Sequence, residues 1–164
     1  MVKIIRTDSN DPGFIELVKW LDKELAERDG LDHPFYAQFN KIDQIKHVVV
    51  VYEDDKATAC GAIKEYTPAT MEIKRMYTSP GSRAQGIATA VLNELESWAI
   101  EMGYEKFVLE TGKRQPEAIR LYKKNGYKII PNYGQYAGIE NSLCFEKEPT
   151  KTLVSTSNQE SGAM

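Results

Sequence analysis

The sequence is poor in cysteine and histidine and carries no surplus of basic charge. Its two cysteines, Cys60 and Cys144, each sit alone inside a strand-like run. They lack the paired spacing of a zinc site or a redox motif, so both are expected as buried free thiols. The two histidines, His33 and His47, have no carboxylate or cysteine at ligand spacing, and no metal site is expected. Against 24 Asp and Glu stand 21 Lys and Arg, a formal net charge of −3. Nothing there would displace counterions from a phosphodiester backbone, which argues against nucleic acid as a partner. Long apolar runs are also missing. Val48-Val49-Val50-Val51 has the length of a buried strand, far short of the ~20 residues that cross a bilayer. Met1 to Arg6 passes straight into polar sequence without a signal-peptide core, so a cytoplasmic protein without a membrane partner is expected.

What is present is ordinary globular material. The 164 residues are 41% hydrophobic and 27% charged, enough for one domain with a full core. That domain is expected over residues 1–147. From Glu148 the composition turns to Thr, Ser, Gln, Asn and Gly with only Leu153 and Val154 as apolar company. Residues 148–164 are therefore expected to form a mobile tail, because so little burial cannot offset the entropy of ordering.

Residues 2–6 read as a strand. Asp11-Pro12 offers an N-cap followed by proline, and Phe14, Leu17, Val18, Leu21 and Leu25 make one apolar stripe before Gly30, predicting a helix over 12–28. The aromatic stretch 33–39 reads as a short helix. Val48–Tyr52, Ala57–Lys64 and Thr70–Tyr77 read as three consecutive antiparallel strands, because their connections are short. From Gln85 to Met102 the apolar positions Ala88, Leu92, Leu95, Ala99 and Met102 alternate spacings of four and three, with Gly103 as the stop. This predicts the longest helix. Phe107–Leu109 is a buried strand, Pro116 opens a helix that Gly126 closes, and strands near 127–130 and 142–146 complete the set. A strand, a long helix and a strand in succession imply a parallel βαβ unit with a right-handed crossover inside an otherwise antiparallel sheet.

The informative segment runs from Glu72 through Met76, Thr78 and Arg83 to Thr89, a strand passing through a loop into a helix start. Free N–H groups and the macrodipole at such a start favour an anion, although a glycine beside a helix is also an ordinary turn. Arg83-Ala84-Gln85-Gly86-Ile87-Ala88 resembles the Q/R-x-x-G-x-G/A pyrophosphate motif of the GNAT superfamily of acyl-CoA-dependent N-acyltransferases. Leu121-Tyr122-Lys123-Lys124-Asn125-Gly126-Tyr127 is similar to that family's L-Y-x-x-x-G-F/Y element. The resemblance covers about residues 2–147. It implies an α/β (α+β) fold, with a mixed, mostly antiparallel twisted sheet of six to seven strands flanked by about four helices.

The resemblance also implies roles. The amides of Gln85, Gly86, Ile87, Ala88 and Thr89, with Arg83 and Ala84, would hold the pyrophosphate of acetyl-CoA. The strand edge through Met76 and Thr78 would pair with pantetheine. The Met76 backbone N–H would face the thioester oxygen and stabilise the oxyanion of the tetrahedral intermediate. Glu72 stands where some members keep a general base, with a structural carboxylate paired with Lys74 or Arg75 as the competing reading. Tyr122 matches the tyrosine that protonates the departing thiolate, with core packing as its alternative. Gln115 replaces a usual asparagine in the family pattern and keeps an amide at longer reach for the pantetheine arm. Tyr36, Tyr133 and Tyr136, with Glu72, fall where the family builds its acceptor cleft.

The function so implied is direct acetyl transfer from acetyl-CoA to a primary amine of a small acceptor, by a monomer or homodimer, with no metal. The alternatives are acetylation of a protein or peptide, which calls for an open groove, and a catalytically silent CoA-binding regulatory domain.

Overall fold

The Asp11 carboxylate accepts the Phe14 backbone N–H at 3.1 Å and Pro12 takes the first helical position, so the first helix starts where a short acceptor precedes a proline. The same carboxylate oxygen accepts the Tyr52 hydroxyl at 2.6 Å, which ties the helix start to the sheet. The computed structural model describes residues 1–30, 45–83 and 85–148. The elements run β1 (Val2–Thr7), α1 (Pro12–Asp29), β2 (His47–Glu53), β3 (Lys56–Thr67), β4 (Thr70–Thr78), α2 (Ile87–Glu101), β5 (Lys106–Gly112), α3 (Pro116–Lys124), β6 (Lys128–Ile130) and β7 (Ser142–Lys147). The seven strands form one sheet in the order β1-β2-β3-β4-β5-β7-β6. Every neighbour is antiparallel except the pair β4 and β5, which α2 joins as the expected crossover.

Three α-helices flank the sheet among the described residues, against the four or so expected. The short helix read at 33–39 lies outside those residues, as does the tail from 149 onward. No helix among them is long and apolar enough to cross a membrane.

Each sheet face has its own core. Met71, Ile73, Phe107, Leu109 and Phe145 meet Val91, Leu92 and Leu95 of α2, with Tyr122 of α3 in the same cluster. Val48, Val50, Cys60 and Ala62 meet Phe14, Leu17 and Val18 of α1 on the other face. Cys60 and Cys144 are free and buried, as their strand settings suggested. Burial pushes the Cys60 thiol up to about 12, which makes it inert.

Two irregularities of β4 shape the rest. Cys60 faces Tyr77 and Ala62 faces Lys74, so the single residue Gly61 opposes both Arg75 and Met76. Arg75 adopts a left-handed φ of 58°, and the extra residue reverses the inward and outward alternation. Met71 and Ile73 point at α2 before the bulge, and Met76 points there after it. Second, pairing with β5 ends at Glu72 opposite Val108, although β4 runs on to Thr78 and β5 to Gly112. From Ile73 onward the β5-facing edge of β4 carries no strand partner.

Gly61 is required by this bulge. A Cβ there would lie 2.5 Å from Met76 Sδ, 2.8 Å from Leu95 Cδ1 and 2.9 Å from Val91 Cγ1. Gly61→Ala should therefore lower stability by about 1–3 kcal/mol, read as a shifted midpoint in urea unfolding at unchanged m-value.

Candidate active site

Two clefts meet where β4 and β5 part. The first, about 110 Å³, is lined by Glu72, Lys74 and Arg75 of β4, Glu110 and Thr111 of β5, and Tyr136. The second, about 650 Å³, runs past Thr78, Arg83, Gly86 and Thr89 between α1, α2 and α3. Leu21, Met76, Gln115, Ala118 and Tyr122 line both. The Met76 and Tyr122 positions singled out in the sequence thus stand at the junction.

The second cleft ends at the N-terminus of α2. Gly86 caps that helix at φ 77° and ψ 4°, without a side-chain capping bond, and a Cβ there would meet nothing within 4 Å. The first-turn N–H groups of α2 therefore open on space that a side chain would invade, with the positive end of the macrodipole behind them. Asn125 Nδ2 donates to Thr89 Oγ1 at 3.2 Å and to the Leu121 carbonyl at 2.8 Å, locking the end of α3 to that first turn. Arg83 donates from Nε to the Thr78 carbonyl at 2.8 Å and pairs with Glu24 at 2.8 Å, its guanidinium 5.5 Å from the Tyr77 ring centroid. Glu24 also pairs with Arg28 at 3.0 Å, and Arg28 reaches Glu117 at 3.2 Å. Arg28, Arg83, Arg120 and Lys124 all line this cleft, which gives it a cationic rim. Ala84 lies outside the described residues.

The first cleft is floored by a carboxylate that is held in place. Glu72 is 7% exposed. It accepts the Tyr133 hydroxyl on Oε2 at 2.6 Å, and Lys74 Nζ lies 3.6 Å from Oε1. Of the two cations proposed as its partners, Lys74 alone is beside it. Arg75 turns instead to Asp22 of α1 at 2.6 Å, because the bulge swings its side chain toward that helix. Tyr133 packs edge-on against Tyr66 at 5.0 Å and Tyr136 at 5.8 Å. Burial first, then the Glu72 charge, holds the Tyr133 phenol far above its ordinary range. Burial and Glu110 do the same for Tyr136. Tyr133 and Tyr136 are thus neighbours of Glu72 and of each other, while Tyr36 lies outside the described residues.

Tyr122 is buried with its ring against Tyr127 at 5.8 Å and Phe145 at 5.9 Å. Burial, then Glu110, raises its phenol well above the usual value, so it keeps its proton throughout the neutral range. Behind it, Tyr127 donates to Glu96 at 2.8 Å, and Lys147 bonds both Glu96 oxygens at 2.9 and 3.1 Å. Gln115 caps α3 and faces both clefts. His47 is spent on an edge-on contact with Trp98 at 4.9 Å. No cluster of three metal-ligating side chains occurs among the described residues.

Sequence reasoning missed Asp22, Glu24 and Glu110. Alternation along β5 could have signalled Glu110, which faces away from Phe107 and Leu109. Asp22 and Glu24 sit on a helix whose polar positions all look alike. Arg75 has a side chain only 2% exposed and Asp22 is its ion-pair partner, itself 48% exposed. Asp22→Asn should cost about 1–3 kcal/mol in thermal unfolding, the usual loss when a bond to a buried charge is weakened.

Comparison with known proteins agrees with this geometry. Residues 14–127 match the family model of the acetyltransferase (GNAT) family. An uncharacterized N-acetyltransferase of Schizosaccharomyces pombe is 30% identical over 135 residues, 74% of this chain and 81% of that protein. The crystal structure of an acyl-CoA N-acyltransferase from Klebsiella pneumoniae superposes with a TM-score of 0.75 at 27% identity, covering 90% of this chain and 97% of that one. A GNAT family acetyltransferase from Elizabethkingia anophelis with acetyl-CoA bound shares the fold at a TM-score of 0.65 and 17% identity, covering 90% and 98% of the two chains. A sheet that opens beside a glycine-capped helix is therefore accompanied by a match over most of the chain's length, and the chain belongs to the GNAT family of acetyltransferases.

Proposed function

We propose that the protein transfers an acetyl group from acetyl-CoA to a primary amine of a small acceptor, with both substrates held at once. The meeting of the two clefts at Met76 and Tyr122 carries this reading. The residues suit the donor. The unpartnered β4 edge from Ile73 to Thr78 would take the pantetheine arm as an added strand. The open first turn after Gly86, with Gln85, Ile87, Ala88 and Thr89, would take the pyrophosphate. Ala84 joins that set by sequence, Arg83 adds charge, and Gln115 would meet the pantetheine amide.

The chemistry follows from the neighbours of the junction. Glu72 would hold the acceptor's ammonium and take its proton, directly or through water. The freed nitrogen attacks the thioester carbonyl carbon, and the Met76 backbone N–H stabilises the oxyanion that forms. The C–S bond then breaks and Tyr122 protonates the sulfur. The nitrogen gives up two protons in all, one passing through Glu72 to solvent and one restoring the Tyr122 phenol. The products are the N-acetyl amine and the CoA thiol. A first cleft of about 110 Å³ lined by Tyr136, with Tyr133 bonded to Glu72 beside it, favours a small acceptor over a protein chain.

Release of thiol from acetyl-CoA on adding an amine, with the acetylated amine identified by mass, tests the function and separates it from a silent CoA-binding domain. Gly86→Glu should abolish CoA binding in calorimetry, because it sets a carboxylate against the pyrophosphate. Its left-handed backbone costs a side chain only about 1–2 kcal/mol of stability, so the fold should survive. Tyr122→Phe keeps the ring packing and removes the proton donor. The CoA thiolate is a fair leaving group unaided, with a pKa of ~8.5 for an ordinary thiol. The loss should therefore be moderate, about 10²-fold, and appear in kcat more than in the acetyl-CoA KM. Wild-type kcat with a lower melting point would make Tyr122 a packing residue only.

A further inference from the structure

The first cleft is lined by charges of both signs, Glu72 and Glu110 against Lys74 and Arg75. Alternation puts Glu72 and Lys74 on the same face of β4, the face turned toward α1. The pairing with β5 ends at Glu72 opposite Val108, and Glu110, two residues further along β5, lines the same cleft as Lys74. These are not solvated surface groups. Glu72 is 7% and Arg75 6% exposed, and the Lys74 side chain 12%.

Buried charges need partners, and here the acids are better served than the bases. Glu72 accepts the Tyr133 hydroxyl at 2.6 Å and Glu110 accepts Ser142 Oγ at 2.8 Å. Lys74 has Glu72 at 3.6 Å, long beside the ~2.8 Å of a good charge-assisted bond. Arg75 Nη2 is matched by Asp22, but its Nε is buried without a hydrogen-bond partner among the described residues. A buried donor left so is costly and invites an acceptor from outside.

From this juxtaposition we infer that the acceptor is a zwitterion, an α-amino acid or close analogue with the amine and a carboxylate in one small molecule. The inference rests on the acetyl-transfer reading. The ammonium lies against Glu72 and Glu110, and the carboxylate replaces Glu72 as the partner of Lys74, with Arg75 in the same lining. Glu72 is thereby released from Lys74 at the moment it must take the ammonium's proton. A diamine would bring its second positive charge against Lys74 and Arg75 in a cleft of low dielectric. A neutral-tailed amine would leave Lys74 with only its 3.6 Å contact to Glu72 and Arg75 Nε without an acceptor among the described residues. The transfer balances as above, yielding an N-acetyl amino acid, the CoA thiol and one proton.

The test compares the standard α-amino acids with their primary amides and with 1,4-diaminobutane, by thiol release from acetyl-CoA and, separately, by calorimetry in the presence of CoA. At least one amino acid should exceed its own amide about 10-fold or more in kcat/KM, the scale of one lost charge-assisted bond. Lys74→Met should collapse that ratio, mainly through the acceptor KM, and Lys74→Arg should restore it. A ratio is insensitive to the fraction of folded enzyme, so general destabilisation does not imitate the effect. Thiol release with amides or the diamine at rates equal to or above those of every amino acid overturns the zwitterion while leaving acetyl transfer standing. Amino acids that bind in calorimetry with no thiol release from any amine tested support the zwitterion site and overturn acetyl transfer. Failure of every amino acid both to bind and to react overturns the inference.

Discussion

The extra residue at Arg75 is the constraint on which the site depends. One left-handed residue, φ 58°, set against Gly61 reverses the faces of β4 for the rest of its length. Before it, Glu72 and Lys74 share the α1 side. After it, Met76 lies over Gly61 on the α2 side. A non-glycine residue in that conformation persists only where its surroundings over-determine it. Here a guanidinium bonded to Asp22 at 2.6 Å and a partner residue without a Cβ supply that determination. The irregularity also puts Met76, where the two clefts meet, on a strand rather than on a loop, where rigid neighbours hold it.

Electrostatics divide along the same line. In the larger cleft two of the arginines are already engaged, Arg83 and Arg28 both with Glu24, so the proposed pyrophosphate would compete there with a resident carboxylate. The smaller cleft is lined by two acids and two bases, Glu72 and Glu110 with Lys74 and Arg75, whose formal charges cancel. Around it, burial drives Tyr122, Tyr133 and Tyr136 toward the protonated form, and Tyr133 donates to Glu72.

Most of the architecture was legible because it follows from local periodicity. The stripe of α1, the helix after Gly86 and the β-branched run at Val48 announce themselves, but α2 begins at Ile87, two residues after the expected start, because Gly86 serves as its cap. At 15 residues it is shorter than the 18-residue α1, and so is not the longest helix that its spacing had implied. The bulge was legible in principle. Met71, Ile73 and Met76 break the two-residue period, and the adjacent charges of Lys74 and Arg75 mark the place. The Glu72 to Tyr133 contact spans 61 residues of sequence, and the Asp22 to Arg75 pair 53. No local pattern encodes such separations, since they are set by how helices and loops settle on a finished sheet.

The sheet is stitched across its middle by three residue pairs, Thr70, Met71 and Glu72 with Lys106, Phe107 and Val108. Mechanically it is two smaller sheets sharing a short seam, with α2 packed across the join. An extended molecule that pairs with the remaining β4 edge continues the seam and becomes part of the protein's own hydrogen bonding. Affinity and thermal resistance are then one free energy seen from two sides. On the proposed pairing, a donor that completed the sheet would make the empty protein its least cohesive state and the loaded one its most cohesive.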